Sequence, residues 1–383
     1  MLFSYVIKRL KRQPSQAFLS TAVVAIVVIL LLGLQFFYVR QEQRLENVYD
    51  EIPIRCTVTN VTGSRKMGLS IDPSYLALFE EEKGALAPYT KDIFMIRKMD
   101  SALAYGNVLE SEWVDLYMTN SPRDYSYLAN VNITFLGEDG LEVFRGEEPV
   151  CLISSTLSKF IEEDGKISVV SNAMTTRLRV VGTFEDDGML VFVNWAHFAK
   201  LLRERSLQPI ANGMSFVIAD NRKLDEVKSL LLEYFVPASR TNKTEEGFGL
   251  VVDDGKFIDA VVVLERSLAL LRIVRVLVYV LSIGISFLVS FLSIRTRKLE
   301  LAVMRSLGTH ASSIYIEVLF EHTLFFLVGA GVASLAAMPF GLMSSTRDLR
   351  LVGVFMLCYL FGVALAVWQA TSGPIMQTLK GKE

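Results

Sequence analysis

Apolar and charged residues separate into long blocks along this chain of 383 residues. Four apolar runs occupy residues 17–39, 276–294, 316–343 and 351–370. A helix of about 20 apolar residues spans the hydrocarbon core of a bilayer, and each run reaches about that length. The pattern therefore predicts four transmembrane helices, one near the N-terminus and three within residues 276–370.

Residues 40–255 have a mixed composition and predict a folded domain between the first and second spans. Residues 54–58 alternate apolar with polar side chains, which is typical of a half-buried strand. Acidic and glycine turns separate the other predicted elements. Strands are predicted at 131–136, 167–170, 178–181 and 190–193, helices at 72–82, 195–205 and 224–235, and a β-α-β unit from 214–219 to 249–252. The predicted fold is an integral membrane protein with four transmembrane α-helices and a mixed α/β extracytoplasmic domain inserted after the first.

Helical periodicity predicts a stalk helix over residues 256–275. Its apolar residues recur at intervals of four and three, at Phe257, Val261, Leu264, Leu268 and Leu271. A coiled-coil seam and a core-facing amphipathic helix both fit this spacing. The absence of a break before residue 276 favours a stalk, and an extension of the first span through Leu45 and Val48 would supply its partner.

The positive charges predict the orientation of the spans. Basic residues cluster between the second and third spans and in the tail, at Arg295, Arg297, Lys298, Arg305, Lys380 and Lys382. Since cytoplasmic loops carry an excess of lysine and arginine, we expect both termini in the cytoplasm. Residues 1–16 then form an interfacial amphipathic helix on membrane lipids, and residues 371–383 a cytoplasmic tail. Arg347 and Arg350 in the short outer loop, residues 344–350, weakly oppose this orientation.

The loop of residues 295–315 carries the most specific pattern of the chain. Leu299, Val303 and Leu307 recur at helical spacing, and Gly308 follows as a predicted left-handed helix stop. The motif R-x-x-E-x-x-x-x-R-x-L-G, beginning at Arg297, resembles that of the MacB/FtsX family of ABC transporter permeases. Residues 180–201 and the size of the domain look like the MacB type, because FtsX proper has a smaller domain.

The resemblance implies a coupling helix that docks onto a cytoplasmic ABC ATPase. The matching residues are Arg297, Glu300, Val303, Met304, Arg305, Leu307, Gly308 and Thr309. It implies two permease chains, identical or different, with two ATPase copies that bind ATP and magnesium, in a bacterial inner or plasma membrane. The permease is non-catalytic and works by mechanotransmission, exporting peptides, antibiotics or lipid-linked molecules. The alternative is an FtsX-like transducer that activates a cell-wall hydrolase outside the cell or signals to a partner.

Small residues at intervals of four predict close helix packing in the last two spans. They are Gly329, Ala333 and Ala337 in the third span, and Gly362 and Ala366 in the fourth. Glu317 and Glu321 fit either a proton relay or carboxylates favoured by a helix N-terminus. Arg272 and Arg275 are interpreted as interfacial anchors.

Composition excludes several other classes of protein. A net charge of −2 gives no reason to expect nucleic-acid binding. The three histidines fall in different regions, and no phosphate-binding loop is present, so we expect no metal and no cofactor in this chain. Of the three cysteines, Cys56 and Cys151 lie in the same predicted domain, where a disulfide remains open.

Overall fold

A computed structural model describes residues 14–80, 84–105, 110–137, 139–171, 174–237, 247–297, 303–304, 308–342 and 346–371. The chain divides into two compact units. One unit is a sheet domain, Val48–Asp259. The other is helical and combines Met1–Asn47 with Ala260–Glu383. Predictions for residues 1–13 and 372–383 lie outside the described residues.

Seven α-helices occur in the described part of the chain. They are α1 Pro14–Glu51, α2 Pro73–Ala77, α3 Trp195–Glu204, α4 Leu224–Tyr234, α5 Gly255–Thr296, α6 Ala311–Ala337 and α7 Thr346–Thr371. Four of them, α1, α5, α6 and α7, are long and apolar enough to cross a membrane. The chain is therefore a multi-pass membrane protein, with a mixed α/β domain between its first and second spans.

Apolar side chains lie both inside and outside the helical unit. Val24, Phe326 and Val363 are buried among the helices, whereas Ile26 and Leu277 are more than half exposed. Exposed apolar side chains on every long helix are unfavourable in water and favourable in lipid. A helix also suits lipid because it satisfies its own backbone polar groups. Association of the helices then depends on close packing rather than on the hydrophobic effect.

The sheet domain is built on eleven strands in its described residues. These are β1 Arg55–Asn60, β2 Thr90–Tyr105, β3 Glu110–Thr119, β4 Ile133–Phe135, β5 Val150–Ser154, β6 Lys166–Ser171, β7 Met174–Phe184, β8 Leu190–Asn194, β9 Gly213–Ile218, β10 Val236–Pro237 and β11 Phe248–Asp253. The strand order is β10-β11-β1-β9-β2-β3-β8-β5-β7-β4, and β6 pairs with β2 and β7. Both β9 and β11 run antiparallel to β1, which lies between them. The predicted β-α-β unit is thus confirmed, with β1 as its middle strand.

Aromatic residues fill one core of the domain. Phe144, Phe184 and Phe192 are almost fully buried, and Tyr117 stacks on Phe192 at 5.2 Å between ring centroids. The strand β8 supplies Phe192 and leads directly into α3, whose apolar face is also buried. The strands and helices predicted at 167–170, 178–181, 190–193, 195–205 and 224–235 are confirmed with small shifts of their ends.

One expectation for this domain differs from the structure, and one hairpin was not predicted. The helix predicted over 72–82 ends at Ala77, although Asp72 caps it by accepting a hydrogen bond from the Ser74 amide at 2.8 Å. The hairpin of β2 and β3 was not predicted, because charged residues interrupt the alternation along both strands. On its other side β2 pairs with β9, and a bulge shifts that register next to Asp92, where φ is +48°. Cys56 and Cys151 are buried and unbonded, so no disulfide joins them. Burial raises the pKa of Cys56 to about 12, which keeps that thiol protonated at neutral pH.

We expect Gly362→Ala to destabilise the helical unit. A Cβ atom at this position of α7 would lie 2.5 Å from the Ile283 carbonyl oxygen of α5 and closer still to Ser286. Separating packed helices to admit an extra methyl costs about 1–3 kcal/mol. Gly353→Ala on the same helix is the matched control, because a Cβ there meets nothing within 4 Å. Thermal unfolding of the purified protein measures both, and equal melting temperatures would contradict the close approach.

Candidate coupling site

The candidate coupling site begins where α5 ends. The last helical residue is Thr296, and the amide of Arg297 donates a hydrogen bond to the Ile294 carbonyl at 3.0 Å. The chain turns there, and the Arg297 side chain points back into the helical unit with 4% of its surface exposed. The first residue of the motif is therefore buried, which makes its guanidinium inaccessible to a docking partner.

A buried ion pair joins Arg297 to α6. Its Nη1 atom lies 3.0 Å from Oε2 of Glu321, whose side chain is 11% exposed. Glu321 sits well inside α6, which begins at Ala311, whereas the helix dipole acts within the first turn. The helix-dipole interpretation of Glu321 is therefore wrong, and its charge is balanced by Arg297 instead.

This ion pair resists separation. Removing one partner of a buried pair leaves an uncompensated charge and costs about 3–5 kcal/mol. Replacing both partners with apolar residues of similar volume is often neutral, so the pair contributes little net stability and much specificity of contact. Its two members come from helices that adjoin the motif on either side. The pair thus fixes where the chain leaves α5 relative to α6.

The turn before α6 has the geometry predicted for Gly308. Its φ is +90°, and the amide of Thr309 donates to the Met304 carbonyl at 3.1 Å. This bond, together with the left-handed glycine, matches the hydrogen-bonding pattern of a Schellman motif. The left-handed conformation predicted for Gly308 is confirmed. Val303 is 52% exposed, and Gly308 and Thr309 are also exposed.

Three other members of the predicted coupling set, Glu300, Arg305 and Leu307, lie outside the described residues. Met304 is half-buried. The structure thus brings Val303, Gly308 and Thr309 to an exposed turn and separates them from buried Arg297. Their role in docking stays a prediction.

Different polar contacts lie toward the other end of the helical unit. Arg275 of α5 donates to Oε1 of Gln35 at 2.8 Å and lies over the ring of Tyr38 at 4.7 Å from the centroid. It is therefore a contact between α5 and α1 and not a simple interfacial anchor. Arg347, in the first turn of α7, forms an exposed ion pair with Glu42 of α1 at 3.2 Å.

The residues of the predicted stalk seam share one face of α5. Phe257 and Leu268 are buried, and Val261, Leu264 and Leu271 are half-buried. Neighbouring residues Val263 and Leu270 on the remaining faces are more than half exposed. At the start of the seam, Phe257 meets Tyr49 of α1 with ring centroids 5.4 Å apart. Burial therefore follows the predicted spacing along α5.

The small residues of the last two spans lie at buried positions. A Cβ atom at Gly329 would come within 2.7 Å of the Thr21 carbonyl oxygen of α1, and Gly362 approaches α5 equally closely. Ala333, Ala337 and Ala366 are almost fully buried. These positions bring α6 against α1 and α7 against α5, where a larger side chain would force the helices apart.

Among the described residues no group of three histidine, cysteine or acidic side chains could hold a metal ion. A cavity of about 270 Å³ in the sheet domain is lined by Asn120, Ser121, Arg123, Phe135, Leu141, Glu142 and Arg145. Arg145 lies 3.7 Å from carboxylates of both Asp92 and Glu142, so the charges around this cavity are largely balanced.

Sequence reasoning missed the pairing of Arg297 with Glu321. The available signal was the carboxylate within an apolar span, since an ionisable residue at membrane depth needs a partner. Arg295 and Arg297 are both basic residues at the end of the preceding span, and the sequence alone does not choose between them. The motif drew attention to its docking role instead.

Comparison with known proteins gives similarities to solved domains. No protein-family model and no curated protein matches the chain. The periplasmic region of MacB from Actinobacillus actinomycetemcomitans is similar at 15% identity and a TM-score of 0.34, covering 54% of this chain and 91% of that one. The extracellular domain of the ABC-type transporter YknZ from Gram-positive bacteria is similar at 12% identity and a TM-score of 0.32, covering 52% of this chain and 100% of that one. A domain of a Porphyromonas gingivalis permease protein is similar at 15% identity and a TM-score of 0.27, covering 54% of this chain and 89% of that one.

We expect Gly308→Ala to loosen the turn before α6 at a cost of about 1 kcal/mol, because a Cβ is strained in the left-handed conformation. No heavy atom lies within 4 Å of the added Cβ, so the effect comes from the backbone alone. Hydrogen exchange of the Thr309 amide should accelerate about fivefold. Gly308→Asn should lie closer to the wild type, since asparagine tolerates this conformation. Unchanged exchange in Gly308→Ala would contradict the strained turn.

Proposed function

We propose that this chain is the permease subunit of a MacB/FtsX-type ABC transporter. It couples ATP hydrolysis by a partner ATPase to movement of its extracytoplasmic domain. The support comes from three features together: four membrane-length helices, a mixed α/β domain between the first two, and a basic motif that ends in the Schellman turn at Gly308. The chain itself is proposed to be non-catalytic. ATP and magnesium belong to the partner.

One observation carries the proposal, namely the unbroken α5. This helix of 42 residues begins directly after the last strand of the sheet domain and ends one residue before Arg297. A continuous helix is stiff along its axis, because every turn is hydrogen-bonded to the next. A displacement of the end of α5 next to Arg297 is therefore transmitted along the helix to the end next to β11, because no hinge interrupts it.

The contacts of α5 suit such a lever. Arg275 ties it to Gln35 of α1, and the residues of its seam are buried or half-buried from Phe257 to Leu271. Substrates would be handled outside the membrane, by movement of the sheet domain, and not through a channel between the spans. We propose peptides, antibiotics or lipid-linked molecules as the exported class, with two permease chains and two ATPase copies in the working assembly.

The proposed orientation places both termini and the Gly308 turn in the cytoplasm. Cysteine introduced as Lys66→Cys should react with an impermeant maleimide added to intact cells, whereas Thr309→Cys should react only after lysis. The background replaces Cys56, Cys151 and Cys358 with alanine. Both probe positions are exposed on the chain itself, so burial within the chain does not block the reagent. Labelling of Thr309→Cys from outside would refute the orientation.

Transmission through α5 is tested by insertions after Leu271. Two added residues rotate everything beyond them by roughly 200°, whereas seven return the helix to within about 20° of its phase and add about 10 Å. We expect an ABC-type ATPase of the source cell to co-purify with the wild-type chain and to hydrolyse ATP on it. The two-residue insertion should abolish transport and the seven-residue insertion should retain a measurable part.

Protein levels in the membrane are matched between the two insertions, and binding of the ATPase is measured beside transport. If no ABC ATPase co-purifies with the wild-type chain, the proposed function is refuted. Equal transport by both insertions would show that the sheet domain is only tethered to the membrane helices.

A further inference from the structure

The ion pair between Arg297 and Glu321 lies at the point where a force on the motif would enter the helices. Arg297 is the first residue beyond α5, and its amide is still bonded to Ile294 of that helix. Glu321 belongs to α6, which starts just after the Gly308 turn. The pair therefore bridges the two helices that the motif connects.

Burial makes this bridge different from other ion pairs of the helical unit. The side chains of Arg297 and Glu321 are 4% and 11% exposed, compared with 65% and 42% for Arg347 and Glu42. An exposed pair is solvated when it opens, so it opens readily. A buried pair has no water to replace the lost partner, so it opens rarely.

Orientation also matters at this site. A guanidinium donates along fixed directions in its plane, so the single bond from Nη1 of Arg297 to Oε2 of Glu321 favours one direction as well as one distance. The end of α5 is thereby held at one place on α6.

We propose that Arg297 is a positioning residue, whose buried ion pair with Glu321 fastens the motif end of α5 to α6 so that the two helices move as one body. The role in transmission rests on the proposed function, whereas the fastening itself does not. A push at the Gly308 turn then reaches α5 through α6 as well as along the backbone. The pair stays closed during the cycle.

Hydrogen exchange of the purified full-length chain in lipid nanodiscs tests the fastening without any ATPase. Glu321→Gln keeps the size of the side chain and removes its charge. We expect exchange of the amides of residues 294–297 and of Thr309 to accelerate about tenfold or more, while amides in the middle of α6 and α7 keep their rates. The swap Arg297→Glu with Glu321→Arg should restore at least part of the protection.

Glu42→Gln is the matched control, because it neutralises the carboxylate of an exposed ion pair of the same helical unit. It should leave exchange at residues 294–297 and at Thr309 unchanged. If Glu321→Gln fails to accumulate in the membrane, Arg297→Lys takes its place, since it keeps the charge and loses the planar fork. We expect the same local pattern from it, with a smaller rise.

Unchanged exchange in the pair variants would overturn the proposal. So would equal acceleration throughout α6 and α7, which would mean that the pair supports general stability and positions nothing. In the complex with its ATPase, Glu321→Gln should retain ATPase binding and lose most of the transport per ATP hydrolysed. If the wild type binds no ABC ATPase, the proposed function fails while the exchange measurements still decide on the fastening.

Discussion

Charge in hydrocarbon is the constraint on which the helical unit depends. An ionisable side chain within a span has no water around it, so it must find a partner or reach the surface. Arg297 and Glu321 satisfy this requirement through each other, and Arg275 satisfies it through Gln35 and the ring of Tyr38. Each partnership joins a different pair of helices. The positions of the charges along the spans therefore determine which helices are held together, and near which end.

Small residues complete this arrangement between the polar contacts. Gly329 and Gly362 let α6 approach α1 and α7 approach α5 so closely that the backbone of one helix meets the surface of the next. Dispersion forces over such contacts replace the hydrophobic effect, which lipid does not provide between helices. The result is an interior that tolerates neither an added methyl group nor a lost charge. A bundle of this kind moves by shifting whole helices, because its side chains have little room to rearrange.

The lengths and ends of the helices follow from the sequence more directly than the contacts between helices or strands do. Four spans, the continuity of α5 and the left-handed Gly308 are all predictable, since length, the lack of a helix breaker and a positive φ are local properties. The hairpin of β2 and β3 is not, because its pattern depends on which face neighbouring strands cover. The pairing of Arg297 with Glu321 also depends on how two helices pack. Only the carboxylate inside an apolar span hints at it.

The first and last strands of the sheet domain have a consequence for its history. Arg55 of β1 pairs with Asp253 of β11, so the chain enters and leaves the domain at adjacent positions of one sheet. Because its two ends are adjacent, the insertion of this domain requires little separation between the two chain segments that lead into and out of it. Another domain whose ends meet in the same way would fit there without altering the spacing of α1 and α5. Recombination can therefore replace the sheet domain, while the helical unit keeps its own set of contacts.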